Sequence, residues 1–400
     1  MIKRIIEIFI SRGLAAAGTV LLTMAVPIFY NVDEAATFFT GFALLYILSI
    51  VARCGFDIYI LRESAVQFGE TKKTIEVSHI SLLFITIIIS ILIAVFWFFL
   101  RFYFLSLDHY AWVMWTLPAF SGLGLISFYL RGSGNEIWAA LTEPGSLSLL
   151  TVIVLFYIKL TGNENPDLTY SFTVIAWGVF FFNLTIFCLK YKIINSCRPN
   201  VKRDFLASYI YFINQLASYV SQWFPVFLFN YFDKDLVVYF SVANRLATIV
   251  TFVGATIDSF SAPRFSAYWK ASDLTGIIIF KSKMRRLASI VSVAAFLLVL
   301  AASLGYGLLS EFDQIFFVLV ITLLLGYSMS IGMGPNGYLL IMTNYSYYAT
   351  KVTVVGCLMI IIAAAFFSYF GQGLAVVGAV SLVTVFRSYF FKRKVDQVIK

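Results

Sequence analysis

The residues of this sequence that could do chemistry are mainly arginines and acids placed close to apolar runs. One charged pattern occurs twice, as DIYILRESA at 57–65 and as DSFSAPRFSA at 258–267. Each copy has an aspartate and then an arginine that opens the frame R-x-S-A, and the copies lie about half of the 400-residue chain apart. A short pattern repeated at this spacing indicates two related halves.

The two aspartate–arginine pairs, Asp57 with Arg62 and Asp258 with Arg264, allow two interpretations. In the first, the arginines anchor helix ends among lipid headgroups and the aspartates are their local counter-ions. In the second, both pairs flank a gate at the inner end of a transport path. The second interpretation makes Asp57, Arg62 and Asp258 candidates for gating or coupling.

Arg245 is the most costly charge to place, because it lies near the middle of the apolar run 236–257. An arginine at mid-bilayer costs about 2.5–3.5 kcal/mol even on the mildest scale. It therefore needs a partner or a watery cavity. It is either half of a structural ion pair or a ligand for an anion, and we favour the anion ligand.

Two further arginines, Arg12 and Arg53, lie at the inner ends of the first two predicted spans. Each either snorkels to the headgroups or adds to the same cavity as Arg245. Guanidinium groups suit phosphate because they present a planar and permanently charged fork of donors. A cavity that holds several of them predicts an anion such as a pyrophosphate.

Glu143 precedes Pro144 and Gly145, which predicts a kink inside the fifth span. The glutamate either carries a coupling proton or packs helices together. The sequence has only two histidines and four scattered cysteines, which predict neither a metal site nor a cofactor.

The elements that position these residues must lie in lipid. The chain is 61% hydrophobic and 12% charged, whereas an ordinary globular domain is about 25% charged. A water-soluble fold has too little interior for so much apolar surface. Runs such as LLFITIIISILIAVFWFFL at 82–100 are apolar on every face, which favours helices over barrel strands.

A bilayer core needs about 20 apolar residues per helix, and such runs predict an all-α polytopic membrane protein with twelve transmembrane helices. Turns at GPNGY (334–338) and GQG (371–373) divide the two longest runs. The predicted spans are 10–30, 36–57, 79–100, 113–130, 138–158, 170–190, 206–230, 236–257, 287–310, 314–334, 348–369 and 373–391.

The placement of basic residues predicts the orientation. With both termini in the cytoplasm, all but four of the 29 Lys and Arg residues lie in inside segments. Arg101, Lys159 and Lys234 lie outside, and Arg245 lies within a span. This is the positive-inside pattern. The net charge of +9 therefore reflects topology, and no binding of nucleic acid is predicted.

The repeat extends beyond the charged motif. VPIFYNVDE at 26–34 matches FPVFLFNYFDK at 224–234, since both have a proline, aromatic residues and a short acidic external turn. The chain is therefore predicted to form two six-helix lobes, 1–200 and 201–400, around a central cleft lined by spans 1, 2, 7 and 8. Parallel repeats of this kind occur in transporters that work by alternating access.

The sequence resembles one group of proteins in its twelve spans, its two halves, its arginines in the facing helices and two short motifs. The motifs are GFDIYILRESA at 55–65, after the second span, and GPNGYLLIMTNY at 334–345, before the eleventh. The group is the Wzx-type O-antigen flippases of the polysaccharide transport family, within the multidrug/oligosaccharidyl-lipid/polysaccharide exporter superfamily.

This resemblance implies movement of an undecaprenyl-pyrophosphate-linked oligosaccharide from the inner to the outer leaflet of a bacterial cytoplasmic membrane. It also implies membrane lipids and polysaccharide polymerase or chain-length proteins as partners. In the related lipid II flippases, arginines of spans 1, 2 and 8 and the loop after span 8 line the cavity. Arg12, Arg53, Arg245 and Arg264 are at comparable places here, so the resemblance makes them candidate pyrophosphate ligands. Those flippases have two helices more than this chain.

Two other classes stay open. A multidrug exporter of the same fold would need acidic or aromatic groups at mid-membrane to hold a cation, whereas the mid-membrane charge here is Arg245. An O-antigen ligase or polymerase would need a substantial external loop with catalytic residues. The longest external segment, 101–112, has His109 as its one histidine. The sequence therefore predicts a transporter rather than an enzyme.

Overall fold

The computed structural model describes residues 2–67, 74–101, 103, 105–133, 135–161, 167–190, 192–194, 201–270, 272–309, 313–343 and 345–399. Within these residues the chain forms fifteen α-helices, a 3-10 helix at Leu105–Tyr110 and two short strands. The strands, β1 (Thr74–Glu76) and β2 (Lys192–Ile194), pair in parallel. The helices are α1 (Ile2–Phe29), α2 (Val32–Arg53), α3 (Phe56–Gln67), α4 (Val77–Leu100), α5 (Ala111–Gly132), α6 (Glu136–Thr142), α7 (Pro144–Leu160), α8 (Leu168–Lys190), α9 (Val201–Phe232), α10 (Lys234–Lys270), α11 (Leu274–Leu309), α12 (Gln314–Gly332), α13 (Asn336–Met342), α14 (Ser346–Tyr369) and α15 (Gly373–Ile399).

Each predicted span coincides with a long helix, except the fifth, which is divided between α6 and α7. Among the described residues, nine helices are long and apolar enough to cross a membrane, and α1 and α7 contribute the shorter apolar stretches Ala17–Phe29 and Gly145–Leu160. The remaining span is α9, which is long but carries Asn214, Gln215 and Gln222. The predicted all-α polytopic fold with twelve membrane helices is confirmed, with a small parallel strand pair added to it.

The turns predicted at the two glycine-rich sites are present. Gly334, between α12 and α13, has φ 91°, and Gly371, between α14 and α15, has φ 68°. Glycine adopts this left-handed region at little cost because it has no Cβ. The short helix α13, which follows the first of these turns, was not predicted.

The described chain packs into two compact units. The first unit contains Met1–Phe29 and Thr37–Leu216, and the second contains Tyr30–Ala36 and Ala217–Lys400. The helix α9 therefore passes from the first unit to the second after Leu216. The boundary predicted at residue 200 lies outside the described residues, so the lobes 1–200 and 201–400 stay a prediction, as does the central cleft.

The first unit is built around α5, which is buried along most of its length. Small residues on α5 let neighbours approach closely, as is usual where helices meet in lipid. A Cβ on Gly122, for example, would lie 2.5 Å from the ring of Phe180 on α8. An aromatic cluster adds α2 to this core: Phe38 stacks on Trp112 with ring centroids 5.5 Å apart, and both rings contact Phe172 edge-on.

The second unit is built around α12, which packs against α10, α11 and α15. α10 and α11 have 37 and 36 residues, well over the roughly 20 that cross a bilayer core. Their additional turns meet the end of α15 in a separate hydrophobic core, here named the extension core. Its buried members are Ile257, Phe265, Ile277, Phe280, Met284, Ala288, Leu339, Leu340, Ala349, Val395 and Ile399.

A sharp corner separates α2 from α3 in the first unit. Cys54 and Gly55 have φ 49° and 76°, so the helix stops and α3 begins at Phe56. The first turns of α9 pack against this corner: Ser208 Oγ donates to the Cys54 carbonyl at 3.0 Å, and the Tyr59 hydroxyl donates to Asp204 Oδ1 at 2.8 Å. In the second half of the chain, by contrast, α10 continues as one helix through Asp258 to Lys270.

The hydrogen bond between Tyr59 and Asp204 belongs to a partly buried contact. Burial of Tyr59 and the nearby Asp204 carboxylate raise the pKa of the tyrosine to about 12. The hydroxyl therefore keeps its proton at neutral pH and remains a donor to the carboxylate, which holds α3 against α9.

Gly55 is predicted to be essential for the corner, and Gly371 offers a matched control. A Cβ on Gly55 would lie 2.6 Å from the Ser208 carbonyl oxygen and 2.7 Å from the Phe212 nitrogen, whereas a Cβ on Gly371 would meet nothing within 4 Å. We expect Gly371→Ala to cost only the left-handed backbone penalty of about 1–2 kcal/mol. Gly55→Ala adds an overpacking cost of about 1–3 kcal/mol.

Thermal unfolding of the purified full-length protein in detergent measures this difference. The alanine at 55 should lower the unfolding temperature clearly more than the alanine at 371. Equal shifts for the two variants would contradict the close approach of α9 to the corner.

Candidate functional site

Arg245 lies deep in the second unit. It is about 16 Å along α10 from Lys234, at a rise of 1.5 Å per residue. In a hydrocarbon core about 30 Å thick, that depth is close to the midplane. Only 8% of Arg245 is exposed, so the guanidinium must interact with groups that the protein supplies.

One such group is the indole ring of Trp223. The Arg245 Cζ lies 4.6 Å from the centroid of this ring, and Trp223 is buried. A desolvated cation–π contact contributes about 2 kcal/mol, which is comparable with the cost of an arginine at mid-bilayer. The contact joins α9 to α10 and explains how the membrane tolerates the charge at this position.

Polar residues of α10 and α12 lie beside this arginine. The Tyr327 hydroxyl donates to Asn244 Oδ1 at 2.9 Å, and both side chains are buried. α15 packs against α12, and the hydroxyls of Ser388, next to Arg387, and of Ser330, one turn after Tyr327, are 2.5 Å apart. Arg245 and the half-buried Arg387 are thus both on helices that pack against α12. We call Arg245, Arg387, Tyr327, Asn244 and Trp223 the arginine cluster.

Arg387 was not predicted to belong to this site. It was expected among the basic residues of the inner surface, although it lies inside the predicted span 373–391. Arg387 lies about 21 Å along α15 from Gly373. This is less than the thickness of the hydrocarbon core, which indicates a position within the membrane. Two arginines at membrane depth in one half of the chain are a stronger indication of an anion site than Arg245 alone.

Arg53 and Asp57 form a buried ion pair in the first unit. Arg53 Nη1 lies 3.0 Å from Asp57 Oδ2, and Arg53 Nε donates to the Ser49 carbonyl at 3.1 Å. Gly124 of α5 leaves room for the guanidinium, since a Cβ there would lie 2.8 Å from Nη1. One of the two interpretations made Asp57 a local counter-ion of Arg62. The structure pairs Asp57 with Arg53, and the Arg62 side chain lies outside the described part of the chain.

Glu143 lies at the break between α6 and α7, where the predicted kink is confirmed. Its backbone is extended and Pro144 begins α7. Its carboxylate forms an ion pair with Arg131 at the end of α5. This contact ties α5 to the break and favours a packing role for Glu143, while proton coupling stays a prediction.

The other candidate residues lie on three helices. The Arg264 Cζ is 5.4 Å from the ring centroid of Phe280, and Asp258 is partly exposed on the same helix, α10. Arg12 is on α1 and Arg62 is on α3, but their side chains are outside the described part of the structure. A cavity shared by Arg12, Arg53, Arg245 and Arg264 would involve both units, and it stays a prediction.

Comparison with known proteins connects this architecture to membrane transporters. No family model and no curated protein sequence matches the chain. Solved structures of transporters are similar over nearly the whole of both chains. A mutant of the Vibrio cholerae MATE transporter VcmN is 12% identical, with a TM-score of 0.67 over 99% of this chain and 97% of that one.

The second is a MOP superfamily transporter from Pyrococcus furiosus in which reversed polarity of the binding pocket suggests a different function. It is 14% identical, with a TM-score of 0.67 over 99% of this chain and 95% of that one. The third, a multidrug resistance MATE family transporter of the MOP superfamily in an outward-facing conformation, is 13% identical, with a TM-score of 0.64 over 100% and 96%. The chain is a multi-pass membrane protein with the fold of MATE transporters of the MOP superfamily.

The buried ion pair of the first unit can be tested by a double-mutant cycle. Arg53→Met alone leaves a buried carboxylate without its partner, and Asp57→Asn alone leaves a buried guanidinium, so each should cost about 3–5 kcal/mol. The double variant should recover most of that loss, because no charge is then stranded.

Membrane abundance and unfolding temperature of the three variants measure these losses of stability. Additive losses of stability would contradict the pairing itself.

Proposed function

We propose that the protein is a lipid-linked oligosaccharide flippase, which moves an undecaprenyl-pyrophosphate-linked repeat unit across the cytoplasmic membrane of a bacterium by alternating access. The observation that carries the proposal is the arginine cluster. A transporter fold supplies the class of activity, and the charge of the interior of the second unit selects the class of substrate.

The electrostatic argument favours an anion. Two guanidinium groups repel each other, and the repulsion is stronger in a low-dielectric interior than in water. A pyrophosphate between them would replace repulsion by charge-assisted hydrogen bonds, and arginine forks match phosphate oxygens in geometry. Arg245 already has its apolar side against Trp223, so its nitrogen atoms keep their positions when a ligand arrives.

The fold comparison supports a second candidate, a multidrug exporter, because a similar structure is described as a multidrug resistance transporter. A cationic drug is held by acidic or aromatic groups. Trp223 and Tyr327 would provide aromatic contacts to such a cation, whereas Arg245 and Arg387 would repel it. The Pyrococcus furiosus transporter, whose fold is similar, has a binding pocket of reversed polarity that suggests a different function, so this fold does not fix the polarity of the pocket.

Arg245→Ala tests the proposal in cells whose surface polysaccharide depends on this protein. Loss of a charge-assisted contact to pyrophosphate costs about 1.5–3 kcal/mol, so we expect surface polysaccharide to fall by about 10- to 100-fold at near-normal protein abundance. Arg245→Lys should rescue only partly, because lysine keeps the charge and loses the fork. Arg286→Ala, which removes an exposed arginine of α11, is the matched control and should leave polysaccharide unchanged.

The same cells distinguish the two candidate functions. If the protein is a flippase, cells with Arg245→Ala lose surface polysaccharide and keep their resistance to cationic drugs. Lost drug resistance with normal polysaccharide would support the exporter and exclude the flippase. Arg245→Ala lowers the abundance of the protein in one possible outcome. If Arg245→Lys then restores abundance but not surface polysaccharide, the result still supports a role of Arg245 in binding. Normal polysaccharide from an abundant alanine variant contradicts the flippase proposal.

A further inference from the structure

The end of α15 extends out of the membrane. This helix has 27 residues and is about 40 Å long, while the hydrocarbon core is about 30 Å thick. Counted from Gly373, the core is crossed near residue 392. Tyr389 and Phe390 are 50% and 42% exposed just before this point, as is typical of aromatic residues at a membrane interface.

A cavity of about 260 Å³ lies at this level of α15. Its lining residues are Tyr389, Lys392, Arg393, Asp396 and Gln397. Asp396 is the one carboxylate among these lining residues, and it already forms an ion pair: Lys281 Nζ of α11 donates to Asp396 Oδ1 at 2.6 Å. The remaining lining groups are two cations, a phenol and an amide, so the cavity is electropositive.

Two neighbouring cations, Lys394 and Lys281, have partners among the described residues. Lys394 Nζ lies 5.5 Å from the ring centroids of both Tyr345 and Tyr348, and Lys281 pairs with Asp396. Over the described ranges of the chain, neither Lys392 nor Arg393 forms an ion pair. Their charges are therefore available to a ligand.

We propose that this cavity binds the headgroup of an anionic phospholipid. The arginine fork of Arg393 matches a phosphodiester, Lys392 adds a second positive charge, and Tyr389 and Gln397 supply neutral donors to phosphate or glycerol oxygens. The depth agrees with a lipid, since the cations lie where headgroups begin. Phe386 and Phe390 are exposed on the preceding turns, where the acyl chains of the same lipid would contact them.

A second group of basic residues lies nearby and provides the control. Lys283, Arg285 and Arg286 are exposed on α11 and do not line the cavity. Cations close to an anionic membrane surface also add a non-specific attraction. A local site differs from this general attraction because only the removal of its own cations abolishes selective binding.

Native mass spectrometry of the full-length protein, released from phosphatidylcholine nanodiscs doped with phosphatidylglycerol, tests the proposal. The unsubstituted protein should retain phosphatidylglycerol in preference to phosphatidylcholine. Loss of the two charge-assisted contacts in Lys392→Gln/Arg393→Gln should lower the retained phosphatidylglycerol about tenfold or more. Lys283→Gln/Arg286→Gln removes the same charge outside the cavity and should lower the retained phosphatidylglycerol clearly less, because it removes only non-specific attraction.

Four outcomes decide the proposal. Equal losses in both double variants would overturn it, because the attraction would then be diffuse. Unchanged retention in the Lys392/Arg393 variant would also overturn it, as would displacement of the lipid by inorganic phosphate, which would indicate a site for a free anion. If that double variant fails to fold, Arg393→Lys, which keeps the charge and loses the fork, should still lower retention; full retention there contradicts the proposal.

Discussion

A charge inside a bilayer core has no water to solvate it, so the protein must supply every partner that the charge needs. This constraint determines most of the polar arrangement in both units. Arg245, at mid-depth, has the face of Trp223. At the helix ends, Arg53 has Asp57 and the Ser49 carbonyl, and Arg131 has Glu143. Each contact connects two helices or two residues of one helix. The contacts that make the charges tolerable therefore also determine how the helices pack.

The helices themselves could be predicted because their cause is local. Uncharged runs of sufficient length must be helical in lipid, and the glycines at 334 and 371 indicate where two of the longest runs turn. The corner at Cys54 and Gly55 could not be placed in the same way. The corner depends on the close approach of Ser208 and Phe212 to Gly55, and these residues are distant from Gly55 in sequence. The pairing of Asp57 with Arg53 follows from this corner and was therefore missed with it.

The repeated charged motif shows how far a sequence repeat determines structure. Both copies are helical, and in that respect they agree. In the first copy the chain breaks before Asp57, whereas in the second Asp258 and Arg264 lie on one continuous helix whose additional turns enter the extension core. The two aspartates therefore have different surroundings. Depth along a helix depends only on helix length, and it places both Arg245 and Arg387 within the membrane.

The modest hydropathy of α9 has a consequence for how the chain enters the membrane during synthesis. α9 is not among the helices apolar enough to cross alone, and the next helix, α10, carries Arg245 at mid-depth. The two helices are joined by a short turn and contact each other through Trp223 with Arg245 and through Phe229 with Phe240. Arg245 has the ring of Trp223 as a partner only when both helices are present, so the pair partitions into lipid more readily than α10 alone. Biogenesis of this region therefore favours insertion of α9 and α10 together, as a helical hairpin.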